Sequence, residues 1–176
     1  MSKTTELSPV QLRHAIRSGE HVGNTSGFCQ GFVQCNLVIL PADAAADFLK
    51  FCEANPKPCP LIAMSEPGAS NIPKLGTDLD IRTDIPSYKV FENGIVTQEI
   101  SDISELWRDD LVAFLLGCSF SFEEALIADG LEVRNVTEGV NVPMYTTNID
   151  CAPVGPFTGK MVVSMRPFAP EEALLA

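Results

Sequence analysis

The stretch Leu115-Leu116-Gly117-Cys118-Ser119-Phe120-Ser121-Phe122-Glu123-Glu124 separates two apolar runs and decides how the chain folds on either side of it. Gly117 suits the left-handed residue that ends a helix. Residues 121–124 match a capping box, in which Ser121 and Glu124 would cap a second helix that ends at Gly130. The apolar residues before the stretch recur at roughly helical spacing: Trp107, Leu111, Phe114 and Leu115. The sequence therefore predicts that one helix ends and another begins within a few residues.

A break between two helices can form a binding or catalytic site. Its unpaired backbone N–H groups lie at the positive end of a helix dipole and can bind an anion or a developing oxyanion. Cys118 and Ser119 lie closest to these groups in sequence. Cys118 could be a nucleophile or a small buried apolar residue. Glu123 could transfer a proton or merely complement the helix dipole. The local pattern alone leaves these alternatives open.

Length, charge and cysteine content restrict the class of protein. A chain of 176 residues with 45% hydrophobic and 20% charged residues is typical of one globular domain or two small ones. A net charge of −11 disfavours binding to nucleic acid and to an anionic membrane surface. No apolar run reaches the length of a membrane span, so we expect a cytoplasmic protein. The six cysteines have no zinc-site spacing, so we expect free thiols and no bound metal or cofactor, with a divalent cation left open.

Alternating helix and strand signals predict an α/β fold, with a mixed β-sheet and helices packed on it. Asn93-Gly94 is a strong hairpin signal between two of the strands. The last helical pattern has no stop signal, so we expect the chain to end within an element. We predict helices over 8–19, 42–54 and from 170, and strands over 32–40, 61–65, 88–92, 95–100, 131–136, 140–147 and 160–166.

Two strand patterns carry polar candidates for a binding site. Charges at 78, 80, 82 and 84 alternate with apolar residues, which predicts a strand with one charged face. This face could be solvated and self-neutralising, or Arg82 could present its guanidinium fork to a substrate carboxylate. In the strand over 32–40, Asn36 could pair with neighbouring backbone or face a substrate.

Several blocks of this sequence resemble one known family. The motifs are GNTSG at 23–27, GFVQCNL at 31–37, NPKPCP at 55–60, DIRTDIP at 80–86, GCSFSFE at 117–123, NVPMY at 141–145 and VVSMRP at 162–167. Together they resemble the hydro-lyase family of the D-glutamate cyclase type over residues 8–167. The resemblance implies two intertwined subdomains and a lyase reaction, with conversion of D-glutamate to 5-oxo-D-proline and water as the assigned activity.

The same resemblance implies a domain organisation. Relatives continue past the SMRP motif, so we expect residues 1–176 to form a single hydro-lyase-like domain that is the N-terminal part of the family fold and incomplete at the C-terminus. A smaller subdomain is predicted within about 70–147. The unpaired edge near 140–147 allows a homo-oligomer.

Cyclisation of glutamate suggests a role for each candidate residue. Arg82 or Arg166 would hold the α-carboxylate, and N–H groups from Ser119 onward would bind the oxyanion. Glu123 would transfer the proton, with Asp84 as the second candidate. Tyr145 is a possible proton donor or simply edge-strand packing. The expected partner is a small carboxylate or amino acid, and the alternatives are a non-catalytic carboxylate-binding module or an inactive truncated form.

Overall fold

A computed structural model describes residues 7–176 of the protein. It contains both helices and strands, which confirms the predicted α/β class. Short 3₁₀ helices lie at Ser104–Leu106, Ser119–Phe122 and Glu172–Leu174. The longer elements are α1 (Pro9–Arg17), β1 (Cys35–Pro41), α2 (Ala42–Ala54), β2 (Leu61–Met64), β3 (Tyr88–Glu92), β4 (Ile95–Ile100), β5 (Leu111–Gly117), α3 (Glu123–Ala128), α4 (Arg134–Thr137), β6 (Met144–Asp150) and β7 (Lys160–Ser164).

The chain forms two compact units, each assembled from separate stretches of sequence. The first unit comprises the residues up to Gln30 together with Leu37–Asp43 and Ala63–Leu115. The second comprises Gly31–Asn36, Ala44–Ile62 and Leu116–Ala176. This interleaving confirms the predicted pair of intertwined subdomains. The single-domain assignment with a smaller part within 70–147 stays a prediction.

Strand β5 is the centre of a three-stranded sheet with the order β1-β5-β2. Hydrogen bonds from the Cys118 amide to the Gln34 carbonyl and from the Ala42 amide to the Asp110 carbonyl show that β1 and β5 are antiparallel. All five residues of Leu111–Leu115 are buried, and Ala113 and Phe114 are 0% exposed. The three-stranded sheet is therefore built around an apolar strand that is covered on both faces.

The helix predicted before Gly117 is wrong, because these residues form β5. A short apolar run buried on both faces shows no two-residue period, so it resembles a buried helix in sequence. Trp107 is not part of the same element, and its indole N–H donates to the Gly68 carbonyl at 2.9 Å. Gly117 also lacks the predicted left-handed conformation. A Cβ atom there would lie 3.4 Å from side-chain atoms of Ile62 and Pro60, so close packing explains this glycine.

Other predicted elements are confirmed where local signals are strong. Helix α1 begins with a capping box, in which the Gln11 amide donates to the Ser8 hydroxyl and the Gln11 side chain accepts from the Ser8 amide. Helix α2 has the predicted bounds. Strands β3 and β4 form an antiparallel hairpin, with Asn93 and Gly94 at positive φ as its tight turn requires.

Three further predictions are wrong. Residues 78–86 form turns instead of a strand, because their charged side chains bind within the segment and to α1. The strand predicted over 131–136 is replaced by a short helix, although Leu131 and Val133 are buried in alternation as a strand would bury them. The helix predicted from 170 is only a 3₁₀ turn.

Strands β6 and β7 form a separate antiparallel pair with a register shift between Thr146 and Asp150. This ribbon exposes several large apolar side chains, namely Met144, Tyr145, Ile149, Val162 and Val163. Across residues 7–176, no helix combines the length and the apolar character that crossing a bilayer requires.

Phe114→Ala tests the role of β5 as the core of the sheet. Because Phe114 is fully buried, we expect the substitution to lower the free energy of unfolding by about 3–5 kcal/mol. Phe91→Ala in β3 is the matched control, because Phe91 is 62% exposed and its loss should cost less than about 1 kcal/mol. Chemical denaturation measures both, and equal losses would contradict this assignment of the core.

Candidate active site

The chain leaves β5 directly into the candidate site. Cys118 precedes the 3₁₀ helix Ser119–Phe122, and α3 begins at Glu123. The predicted capping box is wrong. The Ser121 hydroxyl accepts from the Gln34 amide at 3.1 Å, and the Glu124 carboxylate accepts from the Gly31 amide at 2.8 Å. Both side chains therefore bind the segment before β1 instead of capping α3.

Glu123 is a buried carboxylate that pairs with Arg166. It is 4% exposed, and its Oε1 atom accepts from Arg166 Nε at 2.8 Å and also from Arg166 Nη2. The side chains of both residues are 6% exposed. Removing a carboxylate from water is costly unless an opposite charge and hydrogen bonds compensate for the lost hydration. Arg166, which lies just beyond β7, supplies that charge.

Two serine hydroxyls complete the contacts of Arg166. Its Nη1 atom donates to Ser164 Oγ at 3.0 Å, and its Nη2 atom donates to Ser119 Oγ at 3.1 Å. The two hydroxyl oxygens lie 3.3 Å apart. The guanidinium also lies 4.8 Å from the centre of the Phe122 ring, within the range of a cation–π contact. Arg166 thereby joins the end of β7 to the segment that follows β5.

Asn135 and Ser164 belong to this cluster but were not candidates from sequence. Asn135 Nδ2 donates to Glu123 Oε1 at 3.1 Å, and Asn135 is 7% exposed. Sequence reasoning could have found Asn135 from its position two residues after Val133, because it continues the two-residue spacing of the buried apolar positions. The signal for Ser164 is its position two residues before Arg166, on the same face of an extended chain.

The other candidates of the second unit have different surroundings. The Cys118 amide donates to the Gln34 carbonyl, and its thiol is half-buried. Burial, with a smaller contribution from the neighbouring Cys118, raises the pKa of the Cys35 thiol. Asn36 is exposed in β1. Tyr145 pairs with Val163 across the ribbon and is 52% exposed. The structure thus brings Ser119, Glu123 and Arg166 together.

Asp84 and Arg82 lie in the first unit. Asp84 is buried and accepts hydrogen bonds from Arg17 on both carboxylate oxygens, and its Oδ2 atom also accepts from the Asp80 amide at 2.8 Å. Arg13 Nε lies 3.3 Å from Asp84 Oδ2. Protein donors thus engage both oxygens of Asp84, which joins α1 to the turns over 78–86.

Arg82 is paired with a carboxylate two residues earlier. Its Nε and Nη2 atoms donate to Asp80 at 2.9 and 2.7 Å. This fork is the bidentate geometry that a guanidinium would offer to a substrate carboxylate. The role of Arg82 in binding a substrate stays a prediction. Within residues 7–176 no group of three or more His, Cys, Asp or Glu side chains is arranged to hold a metal ion.

Comparisons with known proteins identify relatives over nearly the whole chain. The chain is 59% identical over 169 residues to a protein named putative hydro-lyase from Rhizobium johnstonii, covering 96% of this chain and 63% of that protein. It is 58% identical to one from Bradyrhizobium diazoefficiens, covering 94% and 61%. A third, from a Methylobacterium species, is 55% identical, covering 97% and 63%.

These relatives are named as lyases, and the chain is homologous to them. Residues 112–175 match the family model described as D-glutamate cyclase. The resemblance to the D-glutamate cyclase and hydro-lyase family that the sequence motifs predict is therefore confirmed. It spans about three fifths of the length of the curated relatives it matches. The matched segment begins in β5 and contains Ser119, Glu123 and Arg166.

Asp80→Asn tests the ion pair with Arg82. Hydrogen bonds from the Arg82 side chain hold the pKa of Asp80 below its usual range, and burial acts in the opposite direction. Because the pKa of Asp80 is lower in the folded than in the unfolded chain, its carboxylate stabilises the fold above about pH 4. That contribution is lost as pH falls through the folded-state pKa. We expect the substitution to lower the free energy of unfolding at pH 7, and the difference from wild type to shrink in acid.

Denaturation at a series of pH values from neutral to acid checks this expectation. Asp129→Asn at the exposed end of α3 is the control and should change little at any pH. A loss for Asp80→Asn that stayed constant across the series would argue against a charge-dependent contribution.

Arg166→Met tests the buried pair. The substitution leaves Glu123 buried without its opposite charge, so we expect a loss of about 3–5 kcal/mol in the free energy of unfolding. Adding Glu123→Gln should recover part of the loss, because no charge then remains buried. Lys160→Met is the control, since Lys160 and its partner Asp150 are 46% and 75% exposed and such pairs contribute about 1 kcal/mol or less. Similar losses for Arg166→Met and Lys160→Met would refute the expected difference between a buried and an exposed ion pair.

Proposed function

We propose that this chain carries the acid–base centre of a hydro-lyase that acts on a small carboxylic acid, with cyclisation of D-glutamate to 5-oxo-D-proline as its reaction. The single observation that carries the proposal is the buried Glu123 carboxylate, held by Arg166 beside the Ser119 hydroxyl. A carboxylate in such surroundings suits proton transfer. The resemblance to this family supports the reaction class.

The reaction requires two protons to move from nitrogen to oxygen. The substrate nitrogen attacks the γ-carboxyl carbon, a C–N bond forms, a C–O bond breaks, and the departing oxygen leaves as water. In this proposal Glu123 accepts each proton from the substrate ammonium and delivers it to the departing oxygen. The reaction therefore balances without an oxidant or a reductant.

Ser119 and Arg166 support this transfer from two sides. The Ser119 hydroxyl oxygen accepts from Arg166, which leaves its own proton for the developing oxyanion of the substrate. Arg166 donates to Glu123 and to both serines, so its role here is to compensate and orient Glu123 rather than to hold the substrate. The roles of Arg82, Cys118, Asp84, Tyr145 and Asn36 stay predictions.

The first test of this function is direct. The chain is incubated separately with D-glutamate and L-glutamate, and formation of 5-oxoproline is followed by chromatography. We expect product from the D-enantiomer. No product from either enantiomer would contradict the proposal for this chain.

Glu123→Gln tests the proton-transfer residue. We expect kcat to fall by about 10²–10⁴-fold, because the amide is nearly isosteric but cannot accept the proton. Glu124→Gln is the matched control, since the adjacent carboxylate binds the Gly31 amide and is expected to leave turnover close to wild type. Steady-state rates of 5-oxoproline formation measure both. Wild-type turnover by Glu123→Gln would exclude Glu123 from the reaction.

The second candidate function is a module that binds the carboxylate without converting it. Guanidinium and hydroxyl donors such as those of Arg166 and Ser119 can hold a carboxylate without any chemical step. Titration calorimetry with D-glutamate distinguishes the two. Saturable binding without formation of 5-oxoproline would support the binding module.

A further inference from the structure

The two oxygens of the Glu123 carboxylate have different surroundings. Two hydrogen bonds from Arg166 and one from Asn135 all end on Oε1. Oε2 is the oxygen that these two side chains do not engage.

The donors that hold Oε1 come from separate elements. Arg166 follows β7, whereas Asn135 lies in the single turn of α4. Asn135 is 7% exposed, and buried side-chain amides are nearly always hydrogen-bonded, as this one is to the carboxylate. A carboxylate held from two elements by the same oxygen has little freedom to rotate. The orientation that results presents the other oxygen.

We infer that Asn135 is a positioning residue that fixes Glu123 Oε1, so that Oε2 is the oxygen that exchanges the proton with the substrate. This inference rests on the proposed function of Glu123. In the forward step an N–H bond of the substrate ammonium breaks and an O–H bond forms at Oε2. The same O–H bond then breaks as the proton passes to the departing oxygen.

Asn135→Leu tests the inference, because leucine has a similar size and no donor. Removing a partner that orients a metal ligand typically lowers activity by about 10–100-fold, and we expect a similar loss for a partner that orients a reacting carboxylate. We expect that loss in kcat with KM little changed, because Asn135 acts on the proton-transfer step through Glu123. In a Glu123→Gln background the same substitution should cause no further loss of kcat, since the group that it orients is already disabled.

A matched control is available in the same unit. Asn55 is buried to a similar extent, at 6% exposure, but its side chain bonds with backbone groups of Phe51 and Ala152 instead of a carboxylate. Asn55→Leu should lower stability without the kcat loss that depends on Glu123. If Asn135→Leu does not fold, Asn135→Ser provides a smaller polar substitution that withdraws the same donor. Denaturation curves for every variant establish that it is folded under the assay conditions.

The outcomes separate the inference from the proposed function. No turnover by the unsubstituted chain would overturn the proposed function and this role of Asn135 with it. Turnover by the unsubstituted chain, with kcat unchanged in folded Asn135→Leu or Asn135→Ser, would overturn the inference alone. An equal loss of kcat in the wild-type and Glu123→Gln backgrounds would also overturn it, because the effect would then be structural and independent of Glu123.

Discussion

The burial of β5 is the constraint on which the rest of this structure depends. Its peptide groups are paired along both edges, and the side chains of Leu111–Leu115 are excluded from solvent on both faces. A strand in that position has one register in which its apolar residues and its hydrogen bonds are all satisfied. The chain then leaves the sheet at Gly117, where the close approach of Pro60 and Ile62 restricts the residue that can be accommodated. The positions of Ser119 and Glu123 follow from that exit point.

Two buried carboxylates within residues 7–176, Asp84 and Glu123, illustrate different uses of the same group. Protein donors engage both oxygens of Asp84, which suits a structural connection between α1 and the turns that follow residue 77. Arg166 and Asn135, in contrast, both donate to one oxygen of Glu123. A buried ion pair contributes little net stability compared with apolar packing, so its presence calls for a reason other than stability. The uneven bonding of Glu123 is consistent with acid–base chemistry.

Sequence reasoning succeeded where a short segment determines its own conformation. The Ser8 cap, α2 and the Asn93-Gly94 hairpin depend on neighbours within a few residues. It failed where distant segments compete for the same groups. The residues of the capping box at 121–124 bind Gly31 and Gln34 instead, about 90 positions away along the chain. Such a partner is invisible to any local pattern, and so is the burial of β5 on both faces. For the candidate site, charge and residue type predict Glu123, Ser119 and Arg166, which the structure brings together, whereas the contact of Asn135 depends on the tertiary fold.

The strand order β1-β5-β2 has a consequence for how the protein is made. A ribosome releases β1 and β2 first, yet these two strands are not neighbours in the sheet. Both strands pair with the same central strand, β5, which begins some 50 residues after the start of β2. Pairing of distant segments is slow, and strands that wait for a partner are prone to adhere to other chains. The inner edges of β1 and β2 therefore stay without their partner until the chain has been synthesised past residue 117, and that interval is the one in which the nascent chain is most exposed to aggregation.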